Sequence, residues 1–183
     1  MSVRRSRSTG RNVAYMGILA AIAILCGYIE TLIPFAFGIP GMKLGLANIV
    51  TVSVLYLFGA GEAAVVSAVR ILTVSILFGS PYSLLYSAAG GAFSLIGMIL
   101  LQKVRQLSMT GVSIAGGIMH NIGQLIVAAF VVNELRLTYY IPFLIIAGAV
   151  TGLLIGMVSR LLTLRLQQVI SRTDDGSYME ESR

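Results

Sequence analysis

The sequence predicts an all-α integral membrane protein, built as a bundle of six transmembrane helices. Of its 183 residues, 57% are hydrophobic and only 11% are charged, and the mean hydropathy is +0.91. Soluble domains carry about 25% charged residues, so this composition excludes a soluble fold. The apolar runs approach the length that crosses a hydrocarbon core of about 30 Å, and they do not alternate as barrel strands would.

Six apolar segments account for most of the chain. They cover residues 13–33, 42–58, 63–78, 82–102, 111–132 and 140–162. The predicted organisation is a basic N-terminal segment (1–12), a six-helix membrane domain (13–166) and a polar C-terminal tail (167–183). The basic start resembles that of a signal peptide. Because the apolar run behind it is too long for a signal peptide, we expect it to remain as the first span.

The distribution of lysine and arginine predicts the orientation. With six spans, both termini lie on one side of the membrane, and that side carries ten of the 13 cations. The opposite side carries only Lys43 and Arg136. Since cytoplasmic loops are enriched in such residues, we expect a multi-pass protein of a prokaryotic-type cell membrane with both termini in the cytoplasm. This distribution also argues against nucleic acid as the partner of the basic chain.

The stretch from Pro40 to Gly59 combines a Pro-Gly turn with Lys43 and Asn48 and then becomes apolar. Polar groups at such a junction are either interfacial anchors or part of a solute site. Lys43 lies on the side predicted to face outward, where cations are scarce. We therefore interpret Lys43 and Asn48 as the lip of an outward-facing solute site.

Arg70 is the strongest anomaly, because it lies near the middle of the third span. A charge at that depth costs about 2.5–3.5 kcal/mol on insertion scales and normally faces a partner or a wet cavity. Ligand contact and a structural ion pair with Glu30 are equally favoured. Glu62 lies eight residues earlier on the same helix, about 12 Å away, which is too far for direct pairing.

His120, Asn121 and Gln124 form a polar group in the fifth span, where His120 and Gln124 share one helix face. One interhelical hydrogen bond, worth about 0.6 kcal/mol, would explain a single such residue. Three polar side chains so close together favour solute binding. One histidine and one cysteine without a nearby carboxylate pair predict no metal site, and we expect no cofactor.

Tyr82 and Tyr86 lie one helical turn apart at the start of the fourth span. They suit either the aromatic belt at a membrane interface, which is favoured, or stacking on a flat ligand.

Small residues at four-residue spacing mark helix contacts in the first and last spans. The last span carries Gly148, Gly152 and Gly156, and the first carries Gly17 and Ala21. Such spacing lets another backbone approach closely. Packing inside the bundle is the favoured interpretation of both sets, and docking of a partner membrane protein is the alternative.

Motifs for energy conversion and catalysis are missing from the sequence. No GxxxxGK[ST] element is present, so the chain cannot energise transport by itself. Asp174 and Asp175 have no second acidic cluster that would complete a magnesium platform for a diphosphate. We therefore expect no enzymatic activity.

Three segments, KLGLANIVTV, RILTVSILFGSPYSLLYSAAGG and GIMHNIGQL, together resemble the Gx transporter family, also labelled heptaprenyl diphosphate synthase component I. That family is similar in length and layout to the S components of energy-coupling factor (ECF) transporters. The resemblance implies that Gly17 and Ala21 meet a coupling subunit. It implies that the solute lies near Lys43, Asn48, Tyr82, His120, Asn121 and Gln124, and we add Arg70 and Tyr86 to these predicted site residues.

The resulting prediction is an S component that binds a vitamin-like solute at its outer side and relies on separate coupling and ATPase subunits. The cations and tyrosines favour an anionic or flavin-like solute. The alternative is a non-catalytic membrane subunit associated with heptaprenyl diphosphate and menaquinone synthesis, in which Lys43 and Arg70 receive the diphosphate. A third possibility is a small autonomous channel or secondary transporter.

Overall fold

The computed structural model describes residues 4–32, 45–133 and 135–180, and every regular element within these ranges is helical. The α-helices are α1 (Arg4–Leu32), α2 (Asn48–Leu57), α3 (Ala60–Phe78), α4 (Pro81–Leu101), α5 (Met109–Val132) and α6 (Ile141–Glu180), and a 3₁₀ helix (Leu135–Tyr140) precedes α6. The all-α prediction is confirmed for the described residues.

Five of these helices are long and apolar enough to cross a membrane, and α2 is the exception. It has 10 residues, which corresponds to about 15 Å, half the thickness of a hydrocarbon core. The predicted second span began at residue 42, but α2 begins at Asn48. Most of its residues are buried, so protein rather than lipid surrounds this short helix.

The N-terminal part of α1 and the C-terminal part of α6 lie at the same end of the bundle. Asn12 near the start of α1 lines one cavity together with Gln167 and Ser171 near the end of α6. We refer to this end as the terminal end and to the other as the opposite end. The arrangement follows from six helices that alternate in direction.

The main apolar core contains side chains from all six helices, with α2 at its centre. Its buried members are Leu19, Ala23, Val50, Val52, Val54, Leu55, Ala63, Val66, Leu95, Met98, Val112 and Ile155. A smaller core joins α4, α5 and α6 through Tyr86, Leu125, Ala128 and Leu144. Because lipid tails are as apolar as these side chains, close packing rather than exclusion of water stabilises such cores.

The glycine ridge of α6 packs against α5. A Cβ added at Gly152 would lie 2.6 Å from the Ser113 carbonyl oxygen, and one at Gly148 would lie 2.8 Å from the Gly117 carbonyl oxygen. Ser113 Oγ donates a hydrogen bond of 2.8 Å to the Gly152 carbonyl across the same seam. Packing inside the bundle is therefore confirmed for this ridge.

Two serines join α2 to α6. Ser53 Oγ donates to the Ile49 carbonyl at 2.9 Å and to the Ser159 carbonyl at 3.4 Å. Ser159 Oγ donates back to the Ile49 carbonyl at 3.0 Å. In an apolar environment, hydroxyl groups bond to backbone carbonyls of their own or a neighbouring helix. These contacts hold the short α2 in register with the long α6.

Candidate functional site

A group of buried polar side chains on α1 to α5, which we call the polar layer, lies inside the bundle. It comprises Glu30, Asn48, Ser67, Arg70, Ser75, Ser87, Ser94, His120, Asn121 and Gln124. Arg70 lies ten residues after the start of α3, and His120 eleven residues after the start of α5. At 1.5 Å per residue both are about 15–17 Å from the terminal end, near the middle of a hydrocarbon core.

Arg70 is buried against α1, next to Gly27. Its side chain is 5% exposed, and its Cδ lies 3.7 Å from the Cβ position of Gly27. Glu30, on the same helix as Gly27, interacts electrostatically with the guanidinium. Among the described residues, Nε and Nη2 of Arg70 have no hydrogen-bond partner. The structure thus brings Arg70 and Glu30 together and still leaves two donors for a further contact.

Glu30 also joins α1 to the start of α2. Its Oε1 accepts a 2.8 Å hydrogen bond from the backbone N–H of Leu46. Gly45 precedes this residue with φ +81°, a conformation that favours glycine. A Cβ there would also lie 3.0 Å from Nδ2 of Asn48. The sequence suggested Glu30 only as a counter-ion, because nothing local indicates a bond to a residue 16 positions away.

Asn48 lies inside the bundle and not at its surface. Its side chain is 5% exposed, and its backbone N–H donates a 2.8 Å hydrogen bond to the Gly45 carbonyl. Lys43, predicted beside it at the lip of the site, lies outside the described residues. The part of the predicted lip that the structure describes is therefore an interior polar group at the start of α2.

His120 and Gln124 face α4 side by side. A Cβ at Gly90 would lie 2.9 Å from His120 Cε1 and 2.8 Å from Gln124 Cγ, so the missing side chain makes room for both. Each is 5% exposed, and the predicted shared face is confirmed. Neither amide atom of Gln124 has a hydrogen-bond partner within the described part of the chain. The sequence did not single out Gly90 as the residue that accommodates His120 and Gln124.

Asn121 points away from this pair. Its Nδ2 donates a 3.0 Å hydrogen bond to the Leu144 carbonyl of α6. The three polar residues of the fifth span therefore divide, with Asn121 joining α5 to α6 while His120 and Gln124 face α4.

Tyr82 and Tyr86 also separate. Tyr82 is 60% exposed, whereas Tyr86 is 5% exposed and packs with Leu125 and Leu144 in the smaller core. Tyr82 belongs to a set of exposed aromatic side chains at the opposite end: Phe78, Phe130, Tyr139, Tyr140 and Phe143. Such a set is typical of the aromatic belt at a membrane interface, so this interpretation suits Tyr82 and not Tyr86.

Ala23 and Gly27 form a second small-residue pair in α1, and its surroundings differ from those of Gly17 and Ala21. Ala23 and Gly27 are buried, and Gly27 packs against Val74 of α3. Gly17 and Ala21 are exposed, and a Cβ at Gly17 would meet nothing within 4 Å. Packing inside the bundle, the favoured sequence interpretation, is therefore wrong for Gly17 and Ala21. Their face is open to lipid or to a partner.

The chemistry of the polar layer is that of binding. Among the described residues, Nε and Nη2 of Arg70 and both amide atoms of Gln124 have no hydrogen-bond partner, so these side chains offer donors and an acceptor inside the bundle. Among the described residues, no group of three or more His, Cys, Asp or Glu side chains is placed to hold a metal ion.

Comparison with known proteins identifies the family. The profile of the family described as heptaprenyl diphosphate synthase component I matches residues 19–162, which extend from α1 into α6. The chain belongs to this family. The resemblance to the Gx transporter family, which carries the same label, is thereby confirmed. A comparison with curated proteins found no match.

The fold of this chain is similar to that of a solved transporter component. The S component of a bacterial ECF transporter is similar to this chain with a TM-score of 0.62 and 21% identity, over 88% of this chain and 98% of that one. At this identity the likeness concerns the fold. Together with the five long apolar helices, it identifies the family member as a multi-pass membrane protein with an S-component fold.

Proposed function

We propose that this chain is the substrate-binding S component of an ECF-type transporter. The observation that carries the proposal is Arg70, a buried guanidinium in an S-component fold whose Nε and Nη2 have no hydrogen-bond partner among the described residues. Leaving a buried donor unsatisfied costs about 1–3 kcal/mol, and more for a charged group. A solute that accepts these hydrogen bonds removes that cost, and ionisable groups inside membrane bundles commonly mark solute sites.

The solute is vitamin-like and carries a carboxylate or phosphate group that accepts hydrogen bonds from Arg70. Charge-assisted hydrogen bonds of this kind are roughly twice as strong as neutral ones. A second polar part of the solute, such as a ring amide, bonds to Gln124, whose amide offers both a donor and an acceptor. The charge distribution of the sequence assigns Lys43 to the outer side, where we propose that it attracts the anionic solute, and Asn48 and His120 contact the solute in the interior.

The remaining parts of the assembly follow from this role. Both termini are cytoplasmic, with residues 1–12 and 167–183 on that side. Separate coupling and ATPase subunits provide the energy, because the sequence has no phosphate-binding loop of its own. The chain itself performs no catalysis.

Binding measured on the purified protein tests the proposal. The protein in detergent or nanodiscs is titrated with a panel of vitamins and flavins by calorimetry, and the coupling and ATPase subunits of the same organism are co-expressed with it. We expect saturable binding of one compound class and retention of the coupling subunit. Absence of both would contradict the proposal.

Replacing Arg70 tests the central contact. Arg70→Gln removes the charge and is expected to lower solute affinity at least about tenfold, because a charge-assisted contact is lost. Arg70→Lys is expected to be intermediate, since lysine keeps the charge without the planar fork. The control is Val69→Ala, the neighbouring residue on the exposed face of α3. Equal affinity of Arg70→Gln and wild type would assign Arg70 a purely structural role.

A membrane subunit of prenyl diphosphate synthesis is the second candidate, because the family description names heptaprenyl diphosphate synthase. In that role Lys43 and Arg70 hold the diphosphate, and the bundle shelters the isoprenoid chain without catalysing its growth. Deletion of the gene distinguishes the two. Shortened or depleted menaquinone with normal vitamin uptake supports this candidate, and the reverse supports the S component.

A further inference from the structure

The cavity at the terminal end lies apart from the polar layer. Its volume is about 390 Å³, and it opens between α1, the connection from α2 to α3, and α6. Its lining includes Asn12, Met16, Phe58, Glu62, Gln167 and Ser171. At about 30 Å³ per water molecule, the space is large enough for a substantial side chain and its hydration shell. We refer to it as the terminal recess.

The lining of the recess suits a cationic side chain. Glu62 is half-buried and provides carboxylate acceptors, while Asn12, Gln167 and Ser171 add amide and hydroxyl oxygens. Met16 and Phe58 provide apolar walls, against which the methylene groups of a long side chain can pack while its charged group reaches the carboxylate. Guanidinium and ammonium groups are donors only, so they match this set of acceptors.

The charges exposed around the recess are positive, which leaves Glu62 as the described carboxylate with which a cation can pair there. Lys103, Arg105, Arg160 and Arg165 are exposed towards the terminal end, and among the described side chains there Glu62 is the acidic one. Glu62 lies in the first turn of α3, where the positive end of the helix dipole stabilises an acidic side chain, and this explains why a carboxylate is tolerated at that position. The dipole does not explain a cavity beside it.

The recess adjoins the open face of α1. Met16 lines the recess, and the next residue, Gly17, belongs to the exposed small-residue face. In the apolar stretch of α1 only 17% of the residues are buried, whereas the corresponding shares are 39% for α3, 44% for α4 and 39% for α5. A protein that packs along Gly17 and Ala21 therefore also covers the recess.

We propose that the terminal recess receives an arginine or lysine side chain of the membrane-embedded coupling partner, with Glu62 as its counter-ion. This inference rests on the proposed function, because it describes a contact within the same assembly. The contact orients the partner at the terminal end, while the small-residue face of α1 provides close packing within the membrane.

Co-purification with a defined partner tests the contact. The tagged chain is co-expressed with the ECF coupling and ATPase subunits of the same organism, and the retained coupling subunit is quantified per chain. Glu62→Gln is expected to reduce retention at least about tenfold, and Glu62→Lys further, because a desolvated charge pair loses one member. Lys103→Gln, an exposed charge change at the same end, is the control and is expected to retain the partner normally. Solute binding by isolated Glu62→Gln is expected to be unchanged.

A second variant separates occlusion from loss of charge. Ser171 is exposed on α6, so Ser171→Trp fills the recess without disturbing a core and is expected to reduce retention as well. Charge reversal of one arginine or lysine in the coupling subunit is expected to restore retention by Glu62→Lys.

Normal retention by both Glu62→Gln and Ser171→Trp overturns the contact while leaving the proposed function intact. An equal loss in Lys103→Gln also overturns it, and absence of retention by the wild type contradicts the proposed function together with this contact.

Discussion

Individual glycines help to determine where the buried polar side chains lie. Gly90 leaves space for His120 and Gln124 beside α4, and Gly27 leaves space for Val74, one helical turn after Arg70. A methyl group at Gly90 would lie within 3.0 Å of both neighbours. Polar groups at this depth are costly unless they are satisfied, so the glycines mark positions where the fold tolerates that cost for a purpose.

Asn121 and Gln124 are amide residues of the same helix, α5, and replacing each in turn separates the effect on stability from the effect on solute affinity. Asn121→Ala removes the hydrogen bond to Leu144 and is expected to lower the free energy of unfolding by about 0.6 kcal/mol, and by no more than about 1.7 kcal/mol. Its solute affinity is expected to stay unchanged. Gln124→Ala is expected to lower affinity severalfold with little effect on stability, since its amide has no hydrogen-bond partner among the described residues.

Thermal unfolding and calorimetric titration of both variants check this pair. A loss of affinity in Asn121→Ala together with normal affinity in Gln124→Ala would return Asn121 to the solute site and remove Gln124 from it.

At the scale of elements, α2 and the seam between α5 and α6 are organised by different means. α2 is too short to span the membrane and is held by Ser53 and Ser159 inside the bundle. The α5–α6 seam instead depends on Gly148 and Gly152, which bring the two backbones into direct contact. Close backbone approach of this kind strengthens packing where no hydrophobic driving force acts between helices.

Gly152→Ala is expected to destabilise the α5–α6 seam. The added methyl group would lie 2.6 Å from the Ser113 carbonyl oxygen and 2.7 Å from the Ile114 Cα, so the helices must separate. Overpacking of this kind costs about 1–3 kcal/mol, which thermal unfolding in detergent measures. Gly61→Ala is the control, because a Cβ at Gly61 meets nothing within 4 Å. Equal stability of the two variants would show that α6 shifts without cost.

At the scale of the whole molecule, the chain presents one weakly covered helix. The outer surface of α1 carries Gly17 and Ala21 among exposed aliphatic residues, whereas its other face packs on the core and on α3. The terminal recess lies next to this surface. The S-component fold therefore has an open side that extends from the membrane interior to the end that holds both termini.

Gly17→Leu and Gly27→Leu distinguish the two faces of α1. Gly17→Leu is expected to leave stability and solute binding unchanged and to reduce retention of the coupling subunit, because it obstructs an open face. Gly27→Leu is expected to disrupt folding, since a Cβ there already lies 2.9 Å from Val74 Cγ2. Unfolding temperature and co-purification report these effects, and normal retention by Gly17→Leu would exclude this face as the docking surface.

The orientation predicts a labelling pattern. In a Cys26→Ala background, cysteine at position 139 is expected to react with a membrane-impermeant maleimide on intact cells, because Tyr139 is 83% exposed at the opposite end. Cysteine at position 103 is expected to react only after permeabilisation, because Lys103 lies at the terminal end. The reversed pattern would place both termini outside.

Local patterns in the sequence were sufficient for several conclusions. Apolar runs indicated the helices, Arg70 and the residues of the fifth span stood out as polar groups within them, and the shared face of His120 and Gln124 followed from helical spacing. The first residue of a helix was predicted less accurately where contacts with distant parts of the chain determine it. The second helix begins at Asn48 and not at residue 42, because the chain before it is positioned by contacts such as that between Glu30 and Leu46.

By itself, the sequence determined that this protein is an all-helical membrane protein of its family and which polar residues lie within the spans, because hydrophobicity and helical period are local properties. Only the tertiary structure decided that Gly152 packs inside while Gly17 is open, that Asn121 bonds to α6, and that Arg70 shares its surroundings with Glu30. These outcomes depend on which helix faces which, and that is determined by contacts between residues far apart in the chain.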